Sequence, residues 1–301
     1  MLLVDNYNEY FPQCGENYLI KDLYHSNQKI FRILRKIHLK SQLPLKGIWF
    51  KKWEKYINKD TVIVLFDTGN APYIIDYVSK KYKENRLILW YWGPVDICVN
   101  PKLIDRRKCE IWSFDENDCN KYSFKHNTQF YFRQNINRKC SYNVNNRGVL
   151  FVGTEKNRLS IIEEIRELLN NKNIENYFHV VKSLSRYKSI DDYDYKEEIT
   201  YLQLLSLIDK STAVLDLVSP EQYGMTLRPL EALFWKKKLI TNDKNIRYRD
   251  IYNPNNIFIY GVDKPEQLEA FLTSDFDMSN YEKLVEFYSA EKWIERFEID
   301  S

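Results

Sequence analysis

At 301 residues, with 44% hydrophobic side chains and a net charge of +3, the chain is long enough for two ordinary domains and carries no strong global field toward nucleic acid. It has no run of 18 or more apolar residues, and its start, MLLVDNYNEYF, lacks the basic stretch and long apolar core of a signal peptide. Five widely spaced cysteines without a CxxC pair, and four histidines without HExxH, speak against a structural zinc or a disulfide framework, so the cytosol is the expected compartment.

In chain order, residues 1–4 suit a short strand and 5–24 a loop-like stretch. Residues 25–55 read as helical and very basic, split by Pro44 and Gly47. Lys29, Arg32, Arg35, Lys36, Lys40, Lys46, Lys51, Lys52 and Lys55 face only Glu54, while Ile30, Phe31, Ile33, Leu34, Ile37 and Leu39 occupy much of the first segment. The plain expectation is a surface helix over a sheet. The sharper one is peripheral contact of residues 29–55 with anionic lipid headgroups or a lipid-linked phosphate.

TVIVLFD (61–67) is a continuous apolar run that suits a strand buried on both faces. A TGNAP turn, a helix over about 72–83, a strand RLILWYW (86–92), a strand CEIWSFD (109–115), a short capped helix in ENDCNKYSF and a strand TQFYF (128–132) follow. Alternating strands and helices predict a parallel sheet with helices on its faces. Asp67 and Asp115 end two of the strands, where open α/β sheets bind ligands. Residues 133–147 are polar and aperiodic and read as a linker.

The pattern then restarts with a strand at 148–153, a TEKNR loop and an amphipathic helix at 159–171. Strands at 177–183 and 212–218 flank a helix at 198–211. SPEQYGMTLRPLEALFWKKKLITND (219–243) adds a glycine turn, a helix at 225–235 and a strand at 237–241. A strand at 256–261 and helices at 264–272 and 281–297 complete the chain.

QYGMTLRPLEALFWKKKLITND, with NIRYRDIYNPNNIFIY after it, resembles the segment of bacterial capsular and lipopolysaccharide glycosyltransferases in which a glycine loop leads into an R-x-x-E-A-L helix and a KKLIT strand. FVGTEKNRLSIIEEI, LILWYWGPV and IWSFDENDCNKY are similar to further parts of such proteins, so the likeness runs from about 61 to 261. It implies an α/β fold of two Rossmann-like domains facing a central cleft (GT-B-like). The expected division is 1–140 on the acceptor side and 148–278 for the nucleotide sugar, with a C-terminal helix over 279–301 that packs back on the first domain.

The implied activity is a metal-independent glycosyltransferase, with no cofactor. It would move a sugar from a nucleotide-diphosphate donor to a glycan acceptor, lipid-linked or free, in surface polysaccharide synthesis in the cytoplasm or on the inner membrane face. Gly224 suits a close ligand approach, and the helix after it offers N–H groups to a diphosphate. Thr226 adds a hydroxyl, Arg228 a fixed charge, and Glu231 takes the ribose-binding role that the resemblance implies. Related retaining enzymes carry two glutamates eight apart. Here position 223 is Tyr, and Glu221 lies ten before Glu231, so the stereochemical outcome stays open.

Tyr223 joins the donor group, as do Gly153, Thr154, Lys156 and Arg158 at the end of the 148–153 strand. The plain alternatives are an i,i+3 surface pair for Arg228 and Glu231, and an ordinary charged loop for TEKNR. Asp67 is the expected general base, with Asn70, Trp92 and Asp115 on the acceptor side. Asp115 also suits a helix N-cap, and Trp92 a core position. Arg228→Ala is expected to cut turnover and keep the fold. Two other functions fit the same architecture: a nucleotide-sugar epimerase, and a non-catalytic partner or glycan-binding subunit. Nucleic acid is not an expected partner.

Overall fold

Apolar runs become buried parallel strands in both halves of the chain. The computed structural model describes residues 1–5, 10–12, 15, 17–41, 43–138, 148–183, 192–218 and 223–299, and they fall into two units, Met1–Gln129 with Glu291–Ser301 and Phe130–Ala290.

Unit 1 is a six-stranded parallel sheet of β1 (Leu2–Asp5), β2 (Leu19–Asp22), β3 (Ile63–Phe66), β4 (Leu87–Tyr91), β5 (Glu110–Ser113) and β6 (Lys125–His126), in the order β2-β1-β3-β4-β5-β6. The central strands β1, β3 and β4 are buried at every position, which is why β3 and β4 are unbroken apolar runs rather than alternating ones, and β1 is one up to Asp5. Helices α1 (Lys29–Lys40), α2 (Ala71–Lys81) and α3 (Glu116–Tyr122) accompany the sheet. Ile74, Ile75 and Val78 of α2 pack with Leu65 and Leu89 in one core.

Two expectations are corrected here. Residues 5–24 hold the edge strand β2, whose LIKD pattern is only half-buried and so lacks a strong apolar signature. TQFYF is not a strand: Tyr131 makes an isolated bridge to Ser289, receiving the N–H of Ala290 on its carbonyl and donating its own N–H to Tyr288. The sixth strand is Lys125–His126 instead. The basic stretch 25–55 is one helix, α1, followed by two 3-10 turns at Lys46–Trp49 and Lys52–Tyr56.

Unit 2 is a five-stranded parallel sheet of β7 (Val149–Thr154), β8 (Asn176–Val181), β9 (Ala213–Asp216), β10 (Lys238–Thr241) and β11 (Ile257–Ile259), in the order β11-β10-β9-β7-β8. Its helices are α4 (Leu159–Asn171), α5 (Tyr201–Lys210), α6 (Arg228–Phe234), α7 (Leu268–Thr273) and α8 (Tyr281–Phe287). A reciprocal capping box starts α5: Thr200 accepts from the Gln203 N–H, and the Gln203 side chain accepts from the Thr200 N–H. Residues 133–137, expected as linker, form a 3-10 turn inside this unit, and 139–147 lie outside the described residues.

The helix expected over 281–297 is two helices. It breaks at Tyr288–Ser289, where the backbone pairs with Tyr131, and resumes as α9 (Ala290–Ile299). From Glu291 on, α9 belongs to unit 1 and fills its core with Trp293 and Phe297. Among the described residues, no helix is long and apolar enough to cross a membrane.

Candidate functional site

The strand order of unit 2 reverses at β7: the chain goes next to β8 on one side, then returns to β9 on the other. The loops leaving the carboxyl ends of β7 and β9 therefore diverge, and the crevice between them is where an open α/β sheet accommodates a ligand. Gly153 and Thr154 end β7 at this point, Lys156 and Arg158 lie in the loop after it, and Asp216 ends β9.

Arg158 clasps the two strand ends. Its guanidinium donates to the carbonyls of Thr154 (2.7 Å), Glu155 (3.2 Å) and Leu217. Three donors committed to backbone make this side chain a strut of the crevice rather than the phosphate ligand expected from TEKNR. Gly153 has room for a side chain, since an added Cβ would meet only the Phe151 ring at 3.5 Å.

Lys156 differs from its neighbours. It and Asn157 both adopt left-handed backbone, with φ of 46° and 57°. This is an unusual conformation for two successive residues with side chains, and one that concentrates at functional turns. The Lys156 N–H donates to Ser183 Oγ (3.0 Å), while its side chain is exposed. Helix α4 begins at Leu159, three residues after Lys156, with no side-chain cap on its first turn, so its N–H groups and positive dipole end lie close to Lys156 in the chain.

The segment 223–231 behaves differently from its sequence expectation. Tyr223 is exposed and its carbonyl accepts from Arg249 (2.6 Å), while Gly224 is buried; Glu221 lies outside the described residues. The helix starts at Arg228 rather than 225, is seven residues long and has Pro229 in its first turn, which removes one N–H from the expected anion site. Thr226 Oγ1 donates to Asp216 (3.0 Å) and accepts from the Arg228 N–H (3.3 Å).

The Arg228 guanidinium is 17% exposed and Glu231 2%. Arg228 donates to Glu231 Oε2 and to the Val152 carbonyl (3.1 Å), and Tyr201 donates to Glu231 Oε1 (3.0 Å). The pair is thus i,i+3, as the plain alternative had it, but buried. The ribose role for Glu231 is corrected accordingly: its carboxylate is enclosed and holds Arg228 and Tyr201.

Sequence reasoning missed Asp216, although it ends a strand as Asp67 does. Burial raises its carboxyl to about 6, against the pull of Arg228 and Thr226. The folded state therefore binds more protons than the unfolded state between pH 4 and 6, so this group's contribution to stability falls as pH rises through that window. A shift of about two units corresponds to about 3 kcal/mol. Asp216→Asn is expected to gain on the wild type in thermal stability as pH rises from 4 to 7. A difference that does not change with pH would contradict the raised carboxyl. Glu155 was missed too; it is enclosed, with Oε2 accepting from Tyr195 and Oε1 unpartnered among the described residues.

In unit 1, Asp67 follows β3. Burial raises its pKa, offset in part by hydrogen bonds from Cys98 and from the Val99 N–H (3.3 Å). Asn70 donates to the Tyr24 hydroxyl (3.3 Å). One acceptor-side expectation is corrected. Asp115 is buried and caps α3, accepting from the N–H groups of Asn117 (2.9 Å) and Asp118 (3.1 Å). Trp92 is half-buried, stacks on Phe11 at 5.2 Å and donates to Gln129 (2.8 Å). Among the described residues, no group of three or more His, Cys, Asp or Glu is arranged to hold a metal ion.

Comparison with solved structures gives the architecture a context. The glycosyltransferase AviGT4, involved in avilamycin A biosynthesis, superposes with a TM-score of 0.52 at 12% identity, over 98% of this chain and 95% of its own. The N-terminal domain of trehalose-6-phosphate phosphatase from Candida albicans does so at 0.50 and 10% identity, over 93% and 84%. The likeness shows the fold. It is an α/β fold with two parallel-sheet domains. No protein-family model and no curated protein sequence matches the chain.

Proposed function

We propose that the chain is a glycosyltransferase that takes a sugar from a nucleotide-diphosphate donor and passes it to a glycan acceptor, free or lipid-linked, in bacterial surface polysaccharide synthesis in the cytoplasm. The observation that carries the proposal is the β7 crevice. It combines an exposed lysine on a left-handed turn, an uncapped helix start and a sheet switch point. A diphosphate suits that combination because backbone N–H groups and one exposed cation meet its charge. Lys156, Thr154 and the first turn of α4 then hold the donor phosphates, needing no metal or cofactor. Arg158, Arg228 and Glu231 keep the crevice in shape. Asp67, whose raised pKa brings it closer to the neutral range, is the proposed base toward the acceptor hydroxyl.

Calorimetry with UDP, GDP, CMP and ADP, with and without EDTA, tests this directly. One nucleotide is expected to bind, with no effect of EDTA. Lys156→Ala is expected to weaken that binding by about tenfold without changing the melting temperature, the loss of one charge-assisted contact. Asp67→Asn is expected to leave nucleotide binding intact and lower turnover by about 100-fold or more. Product formed from donor alone would point to an epimerase. Silence toward all four nucleotides would point to a non-catalytic, glycan-binding role.

A further inference from the structure

Helix α1 is amphipathic, yet it is mounted with its apolar face outward. An ordinary surface helix turns that face to the core. Here the residues buried against unit 1 are Arg35 and Leu39. The Arg35 guanidinium lies 3.5 Å from the centre of the Tyr24 ring and donates to the Ser26 carbonyl (2.8 Å). The 100° step per residue then puts Ile30, Ile33, Leu34 and Ile37 in one row on the outside, with Ile30 and Ile37 each 63% exposed. Along one edge of this row run Lys29, Arg32, Lys36 and Lys40, all exposed. Beyond the helix, Leu43, Leu45 and Ile48 are exposed as well, and Leu45 has left-handed backbone (φ 64°).

We propose that this face docks on the surface of a membrane containing anionic lipid, with the apolar row sunk at the headgroup boundary and the basic row against the phosphates. Charge complementarity argues for that occupant. From Leu23 to Trp53 the chain contains no acidic residue, and Glu54 beyond it is engaged by Lys81 (2.6 Å) and Tyr77 (2.9 Å). An apolar row edged by cations fits an apolar interior beneath a negative surface. A second copy of the chain fits less well, because pairing two such faces brings like charges together. The inference stands independently of the sugar-transfer proposal.

The test uses the full chain and vesicles of phosphatidylcholine, alone or mixed with phosphatidylglycerol, read by flotation. Binding to the mixed vesicles is expected, weakening as salt is raised, with little binding to phosphatidylcholine alone. The double variant Ile33→Glu, Leu34→Glu changes only outward-facing positions. It is expected to keep the wild-type melting temperature and to lose vesicle binding by about tenfold or more. Lys36→Glu tests the basic row separately and is expected to weaken binding to the mixed vesicles. Three results would overturn the proposal: no binding to mixed vesicles, equal binding by the double variant, or self-association of the wild type that the double variant abolishes without any vesicle binding.

Discussion

Replacing Arg228 by alanine is expected to destabilise unit 2 by about 3–5 kcal/mol, because it removes the cation from between two buried carboxylates. Glu231 and Asp216 are both nearly inaccessible to water, and Arg228 favours the ionised form of each. Without it both carboxyls move further up, so the loss is expected to be larger at pH 7 than at pH 5. Urea unfolding at the two pH values checks this. Unfolding at the wild-type midpoint at both would mean that the pair carries no stability. The sequence expectation that Arg228→Ala keeps the fold is thereby replaced. Loss of turnover in this variant reports on the integrity of the crevice. The double variant Arg228→Met, Glu231→Gln is expected to be milder than Arg228→Ala, since it leaves no charged Glu231 unpaired.

Trp293→Ala is expected to cost unit 1 about 3–5 kcal/mol, the range for removing a fully buried large aromatic side chain. The Trp293 ring is fully buried and meets Trp90 edge-on at 5.1 Å and Phe297 at 4.7 Å, with Phe66 tilted against it at 6.2 Å. Hydrogen bonds fix the helix around it. Asn127 donates to the Trp293 carbonyl (3.0 Å), Arg296 donates to Asn127 (2.8 Å) and Thr128 (2.6 Å), and Arg86 donates to the Phe297 carbonyl (2.6 Å). Thermal unfolding followed by tryptophan fluorescence measures the loss. A cost below about 1 kcal/mol would mean that the cavity collapses without consequence. Such a result would make α9 an appendage rather than part of the core.

The sequence by itself determined the features that depend on near neighbours. IVLF at 63–66 and LILWY at 87–91 suited strands buried on both faces, because unbroken apolar runs of that length need cover on both sides, and the structure has them there. The 3.6-residue spacing in LSIIEEIRELLNN predicts α4 with the same ends that the structure has. Asp115 as an N-cap was legible because capping is read within three residues. Tertiary structure decided what rests on distant partners. Arg228 meets a carbonyl 76 residues away, and Trp235 meets Tyr131 across 104. Nothing local distinguishes a guanidinium aimed at a phosphate from one that braces a strand end. The direction of the apolar row on α1 was equally hidden. Periodicity gives the row, but only the packing of Arg35 on Tyr24 determines which side of the helix faces the protein.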